Sequence, residues 1–100
     1  MDAAFAITGL IEEFESLIEE GDFEGAEELL AQSLDRAPQL EAFFHFQYGR
    51  LYSRWNKLTS AVNHLNRAAE LSKSRGDELF TIQVVMELKS VKDRQAAQRP

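Results

Sequence analysis

Two histidines and several adjacent glutamates are the side chains in this sequence best suited to chemistry. His45 and His64 stand too far apart in sequence to be the i,i+4 pair that binds zinc from one helix, and the chain has neither a His-Glu-x-x-His motif nor a calcium loop. Adjacent carboxylates such as Glu27 and Glu28 could act as acid and base, but they lie in a long acidic stretch that is typical of a solvated helix face. No G-x-S-x-G elbow presents a nucleophilic serine. We therefore expect no enzyme activity, no metal site and no cofactor.

Charge is divided unevenly along the chain. The 100 residues carry a formal net charge of −6, yet residues 1–37 contain eleven acidic residues and one basic residue, a charge of −10. Residues 38–100 contain six acidic and ten basic residues, a charge of +4. Such asymmetry is typical of a protein with one surface that attracts a charged partner and one that repels it, although two solvated helix faces would give the same pattern. The overall acidity, with a pI near 4.9, argues against nucleic-acid binding.

The composition indicates an ordinary folded domain. Hydrophobic residues make up 44% of the chain and cysteine is absent, which excludes disulfides and thiolate metal sites. Asp2 stands where a signal peptide would carry positive charge, and no stretch approaches the ~18 apolar residues that span a bilayer. We expect a single cytoplasmic domain over residues 1–100 that does not insert into a membrane.

Apolar residues recur at helical spacing almost throughout the chain. The pattern predicts five helices, at about residues 7–18, 23–36, 38–55, 58–73 and 78–95. Gly21 and Asn56 are suited to the left-handed backbone that ends a helix, and Asp22 and Asp77 are suited to cap the helices that follow. Pro38 suits the first turn of the third helix, where a missing N–H costs nothing.

The first two helices are echoed by the next two at an offset of 35 residues. The corresponding pairs are Leu17 and Tyr52, Gly21 and Asn56, Phe23 and Leu58, Ala26 and Ala61, Leu30 and Leu65, and Ser33 and Ala68. A helix, turn, helix unit that recurs at this period indicates a solenoid, in which each unit buries a face by stacking on its neighbour.

The second unit resembles the tetratricopeptide repeat, whose pattern is W-x2-L-G-x2-Y, then A-x3-F, then P, at a period of 34 residues. The matching positions are His45, Tyr48, Gly49 and Tyr52, followed by Ala61 and Leu65. His45 replaces the tryptophan, and Lys73 stands near the place of the closing proline. The first unit departs from this pattern at Phe14, which corresponds to Gly49 of the second unit. A side chain as large as phenylalanine would hold the two helices of the first unit apart.

The resemblance implies an all-α fold, an α-α superhelix of tetratricopeptide-like hairpins made of five helices. Repeat one would span about residues 7–40, repeat two about 41–75, and a capping helix about 77–96. Gly49 would lie against Ala61 at the closest contact between helices.

Members of that family bind peptides or helices on a concave side formed by the first helix of each repeat. On this register the candidate partner-binding residues are Ile11, Glu15, Ile18, Phe43, Phe46, Arg50, Arg54, Phe80 and Val84. Phe46, Arg50 and Arg54 would form one strip, with an apolar anchor of the partner near Phe46 and an acidic group near the arginines. The same side chains could instead close a small core, since two and a half repeats are fewer than the three usually needed for stability.

The expected function is therefore a protein interaction module, acting as an adaptor, a scaffold or a secretion-type chaperone, with a protein or peptide as its partner. The alternative is a structural scaffold that forms homo-oligomers by repeat stacking, because the open ends of a short superhelix invite stacking. The opposite charges of the two parts would make such association head-to-tail and sensitive to salt.

Overall fold

The computed structural model describes the backbone of residues 3–99 and the side chains of residues 7–99. Within that range the chain forms five α-helices and a short 3₁₀ helix, with no strand: α1 Ala3–Glu19, α2 Phe23–Arg36, the 3₁₀ helix Pro38–Leu40, α3 Glu41–Arg54, α4 Leu58–Ser74 and α5 Glu78–Ala97. The prediction of an all-α fold with five helices is confirmed. The superhelical arrangement of repeats remains a prediction.

Three of the helices end in the same kind of turn. Gly21, Asn56 and Gly76 follow α1, α3 and α4 with φ of 78°, 60° and 71°. In each turn the next N–H donates to the carbonyl five residues earlier, at 2.9 Å for Asp22 to Leu17, 2.8 Å for Lys57 to Tyr52 and 3.0 Å for Asp77 to Ser72. A left-handed residue with this hydrogen bond is the Schellman motif, which satisfies carbonyls at a helix end. The predicted left-handed conformations of Gly21 and Asn56 are confirmed.

Aspartates cap the amino ends of the helices that follow two of these turns. The Asp22 carboxylate accepts a hydrogen bond from the Gly25 N–H at 3.0 Å, and the Asp77 carboxylate accepts one from the Phe80 N–H at 3.2 Å. Both caps are confirmed. Pro38 begins the 3₁₀ helix, so α3 itself starts at Glu41, three residues later than predicted.

The apolar core is divided into two clusters. The first joins α1, α2 and α3 and consists of Phe14, Ile18, Ala26, Leu30, Phe44 and Leu51. The second lies on α4 and α5 and consists of Leu58, Ala61, Leu65, Ala68, Val84 and Val91. The molecule measures 50 × 35 × 18 Å, and its smallest dimension leaves room for two layers of helices spaced ~10 Å apart.

Gly49 permits the close packing of α3 on α4. A Cβ at this position would lie 2.5 Å from Cγ and Cδ2 of Leu65, a fully buried side chain. The predicted partner, Ala61, is wrong: one helical turn farther along α4, Leu65 supplies the nearest atoms. The α1 and α2 helices, where Phe14 replaces the glycine, approach each other much less closely than α3 and α4 do.

Gly49→Ala should destabilise the protein by ~1–3 kcal/mol, because its methyl group would overlap Leu65 and overpacking a core costs about that much. Gly9→Ala is the matched control, since no atom lies within 4 Å of a Cβ there and the change should stabilise α1 by ~0.5–1 kcal/mol. Urea denaturation of both variants measures the two effects. Equal stability of Gly49→Ala and the parent chain would contradict the packing described.

Candidate functional site

A cavity of ≈ 220 Å³ opens between α1, α3 and α5, and we call it the central cavity. Three helices contribute its lining: Phe14, Glu15 and Ile18 from α1, Arg50, Ser53 and Arg54 from α3, and Glu87 from α5. The four-residue spacing of Phe14 and Ile18 places both on one side of α1, and the spacing of Arg50 and Arg54 does the same on α3. Phe14 and Ile18 are only 2% and 5% exposed, so the floor is apolar while the rim is charged.

Arg50 is held by partners within the chain. Its Nη2 atom lies 2.7 Å from Oε1 of Glu15 on α1, and its Nη1 donates to Oε1 of the buried Gln47 at 2.9 Å. Glu15 and Arg50 occupy corresponding positions, 35 residues apart, in the two predicted repeats. The opposite charges therefore link the first helix of one unit to the first helix of the next.

Ser53 is also engaged, by a residue of the last helix. Nη1 of Arg94 donates to Oγ of Ser53 at 2.6 Å, and Nη2 donates to the Ser53 carbonyl at 3.1 Å. This two-pronged contact fastens α5 to the carboxyl end of α3. It also occupies one acceptor lone pair of the Ser53 hydroxyl, whose own O–H remains a donor.

Arg54 and Glu87 differ from the other charged residues of the cavity. Within the described part of the chain, neither side chain has an ion pair or a hydrogen bond. They project from α3 and α5 respectively, so the cavity presents one available cation and one available anion on different walls. An incoming ligand would meet these two groups first.

The structure brings together only part of the predicted partner-binding set. Glu15, Ile18, Arg50 and Arg54 line the central cavity, whereas Ile11 and Phe43 are half-buried outside it. The remaining three residues pack internally, as the next contacts show.

Phe46 packs against Phe80, with ring centroids 5.5 Å apart in an edge-to-face arrangement. Both rings join the second core cluster, in which Val84 is fully buried. Val84, which the sequence analysis assigned to the partner surface, is fully buried here because its side chain packs with α4 residues of the second core cluster. Phe46 and Arg50 are likewise occupied within the chain, so the predicted strip of three residues is reduced to Arg54.

A stacked aromatic cluster on the α3–α4 side was missed by the sequence analysis. The Nδ1 atoms of His45 and His64 lie 2.9 Å apart, close enough for one to donate to the other. The His64 ring stacks on Tyr48 and Tyr52, at centroid distances of 4.9 and 5.4 Å. Comparing the histidines only as an i,i+4 pair hid this contact; pairing them across the predicted hairpin could have revealed it.

The tyrosines of this cluster connect it to the acidic helix α2. The Tyr52 hydroxyl donates to the Glu27 carboxylate. Burial raises the pKa of Tyr48, and the negative charges of Glu27 and Asp35 raise it further. Burial and the hydrogen bond to Glu27 likewise raise the pKa of Tyr52. Both hydroxyls therefore stay protonated near neutral pH, and that of Tyr52 serves as a hydrogen-bond donor.

The histidine pair has one carboxylate nearby, that of Glu41, which lies 3.4 Å from Nε2 of His45. Among the side chains described, those of residues 7–99, no group of three or more histidines and carboxylates could hold a metal ion. In the same part of the chain, none of the helices is long and apolar enough to cross a membrane.

No family model, curated protein or solved structure matches the chain. The resemblance to the tetratricopeptide repeat therefore rests on the positions of this sequence that match the repeat pattern.

Arg50→Glu should destabilise the protein by ~1 kcal/mol, since it removes a partly exposed ion pair between α1 and α3 and places two carboxylates together. The double variant Glu15→Arg, Arg50→Glu should recover most of that loss, as measured in a double-mutant cycle by urea denaturation. Lys89→Glu is the control, because its partner Asp93 lies on the same exposed face of α5. A cycle with no coupling energy would show that the α1–α3 contact is unimportant.

Stability should decrease as the pH falls below ~6.5, the ordinary pKa of histidine. Burial, and then the nearby His45, lower the pKa of His64 in the folded protein, so the unfolded chain takes up the proton first. The contribution of neutral His64 to the free energy of unfolding is complete at pH values above the pKa of this residue in the unfolded chain. It decreases as the pH falls from that pKa toward the lower pKa of His64 in the folded protein. Urea denaturation at pH ~7.5 and ~5.5 should show a smaller loss for His64→Phe than for the parent chain. An NMR titration that places His64 at or above ~6.5 would contradict this assignment.

Proposed function

We propose that the protein is an interaction module that binds a peptide segment of a partner protein at the central cavity, with an acidic side chain of the partner at Arg54. The observation that carries this proposal is that Arg54 lines the cavity without an ion pair or hydrogen bond, while its neighbour Arg50 is bound to Glu15. A guanidinium without a partner can donate two parallel hydrogen bonds to a carboxylate in a planar contact.

The opposite charges on two walls of the cavity, from Arg54 and Glu87, also set the orientation of the bound peptide. Glu87 stands on the α5 wall without a partner, so this wall favours a basic or neutral group. The apolar floor is almost fully covered, which leaves little apolar area for an anchor. Recognition is therefore mainly polar, and Arg54 dominates the choice of ligand.

The tetratricopeptide resemblance supports the same function, because members of that family bind peptides on the side formed by the first helices of their repeats. On this proposal the protein acts as a cytoplasmic adaptor, scaffold or chaperone. It performs no chemistry on its ligand.

A displayed library of random peptides tests the proposal. Selection on the parent protein should enrich peptides with Asp or Glu at one position, and selection on Arg54→Glu should replace that preference with Lys or Arg. Because Arg54 is exposed and unpaired, the substitution should change the free energy of unfolding by no more than ~1 kcal/mol. Arg50 is unsuitable for this test, since reversing its charge also breaks the pair with Glu15.

Arg99→Glu is the matched control, since it makes the same charge change at an exposed residue outside the cavity. This variant should keep the acidic preference of the parent. Selection of the same peptides by Arg54→Glu and the parent would refute binding at the cavity, and so would a failure of the parent to enrich any sequence.

A further inference from the structure

One hydroxyl group of the central cavity has a hydrogen-bond donor that the rest of the chain leaves unused. Ser53 lines the cavity and is only 4% exposed. Its Oγ atom accepts from Nη1 of Arg94 at 2.6 Å, but among the described residues no atom accepts the hydrogen of its own O–H. A buried donor without an acceptor costs free energy, so most buried hydroxyls donate as well as accept. Ser53 therefore has a donor available to a ligand in the cavity.

Two other serines within helices show the usual arrangement. The Ser33 hydroxyl donates to the carbonyl of Leu29, one turn earlier, at 2.7 Å. Ser72, which is buried like Ser53, has the carbonyl of Ala69 3.1 Å from its Oγ atom. Such bonds to the preceding turn satisfy a serine within a helix and need no ligand. Ser53 lies within α3 and makes no bond of this kind in the part of the chain that the structure describes.

Arg94 determines how the Ser53 hydroxyl can be used. A guanidinium has no acceptor, so the Ser53 oxygen is the acceptor in this contact and its hydrogen must point elsewhere. The second nitrogen of Arg94 donates to the Ser53 carbonyl at 3.1 Å, which fixes the guanidinium in place. An oxygen that accepts a hydrogen bond from a cation is also a stronger donor, because hydrogen bonds in a chain polarise one another.

We propose that Ser53 and Arg54 together bind a carboxylate of the partner peptide, and that Arg94 acts as a positioning residue behind Ser53. The Ser53 O–H donates to the carboxylate, and Arg54 supplies N–H donors and the opposite charge. An ionised carboxylate only accepts, so it suits both groups, whereas the amide of Asn or Gln is uncharged and carries donors of its own. This role of Ser53 depends on the proposed function and adds the group that selects a charged acid over its amide.

The charges of the cavity favour a carboxylate over a phosphate group. The charge of Glu15 is balanced by Arg50, whereas Arg54 and Glu87 have no partner. Arg54 matches the single charge of a carboxylate. A phosphate group carries about −1.5 to −2 near neutral pH, and Glu87 would repel the excess.

A double-mutant cycle between the protein and its ligand tests this role. The probes are the acidic peptide that the parent protein enriches most in the library selection, and the same peptide with its selected Asp or Glu replaced by Asn or Gln. In isothermal titration calorimetry, Ser53→Ala should weaken binding of the acidic peptide by ~10-fold or more, since hydrogen bonds to charged groups are strong. Binding of the amide peptide should hardly change. A general loss of structure would weaken both peptides alike.

Three further variants separate the hydroxyl from its surroundings. Ser53→Thr keeps the hydroxyl and should retain most of the affinity for the acidic peptide. Arg94→Gln removes the cation behind the hydroxyl and should weaken the acidic peptide less than Ser53→Ala does. Ser74→Ala is the matched control, because it makes the same change at an exposed serine of α4 outside the cavity. This control should bind both peptides like the parent.

The possible failures of this role and of the proposed function are distinct. Equal weakening of both peptides by Ser53→Ala, or no weakening of either, would overturn the role of Ser53, while the selection on Arg54→Glu could still support binding at the cavity. Tighter binding of the peptide with phosphoserine in place of its acidic residue would overturn the choice of a carboxylate. A parent protein that enriches no acidic peptide would refute the proposed function and the role of Ser53 together.

Discussion

The close approach of α3 and α4 at Gly49 is the constraint on which the rest of the structure depends. Without a side chain at this position, Leu65 can lie against the α3 backbone, and the rings of His45, Tyr48, Tyr52 and His64 then meet across the same helix pair. At the corresponding place in the first hairpin, Phe14 holds the helices farther apart and becomes the floor of the central cavity. The residue at this one position, Gly49 or Phe14, therefore distinguishes the tightly packed α3–α4 hairpin from the wider α1–α2 hairpin. The central cavity lies beside the wider hairpin.

The third helix connects the molecule through polar contacts as well as through its core residues. It is joined to α1 by Arg50 and Glu15, to α2 by Tyr52 and Glu27, and to α5 by Ser53 and Arg94. Throughout the described residues, no buried side-chain nitrogen or oxygen lacks a hydrogen-bond partner. Among the charged residues that line the central cavity, Glu15 and Arg50 are paired with each other, whereas Arg54 and Glu87 have no partner, and these two carry the case for a ligand site.

The sequence predicted the features that depend on neighbours along the chain, and it failed where distant residues meet. Five helices, the turns at Gly21 and Asn56 and the caps at Asp22 and Asp77 follow from local propensity and were confirmed. The repeat register assigned Glu15 and Arg50 to the same side of the protein, and in the structure both line the central cavity. The register did not extend to α5: its buried face holds Val84 and Val91, while Leu79 and Met86 lie outward. The repeat offset could not predict the rotation of α5, because α4 leads into α5 through the turn at Gly76, whereas α2 leads into α3 through a 3₁₀ helix. The contact between the two histidines depends on the packing of α3 on α4, which the sequence pattern does not give.

The division of the core into two clusters has a consequence for cooperativity. A protein with a single core unfolds as one unit. Two separate clusters allow one group of helices to unfold while the other stays folded, like the local unfolding units that hydrogen exchange detects. The seam between them follows α3, and the central cavity lies there because α1, α3 and α5 all contribute to its lining. Arg94 of α5 crosses this seam by donating to the hydroxyl and the carbonyl of Ser53 on α3. The proposed binding site therefore lies on this seam, and a ligand that contacts both α1 and α5 would join the two clusters.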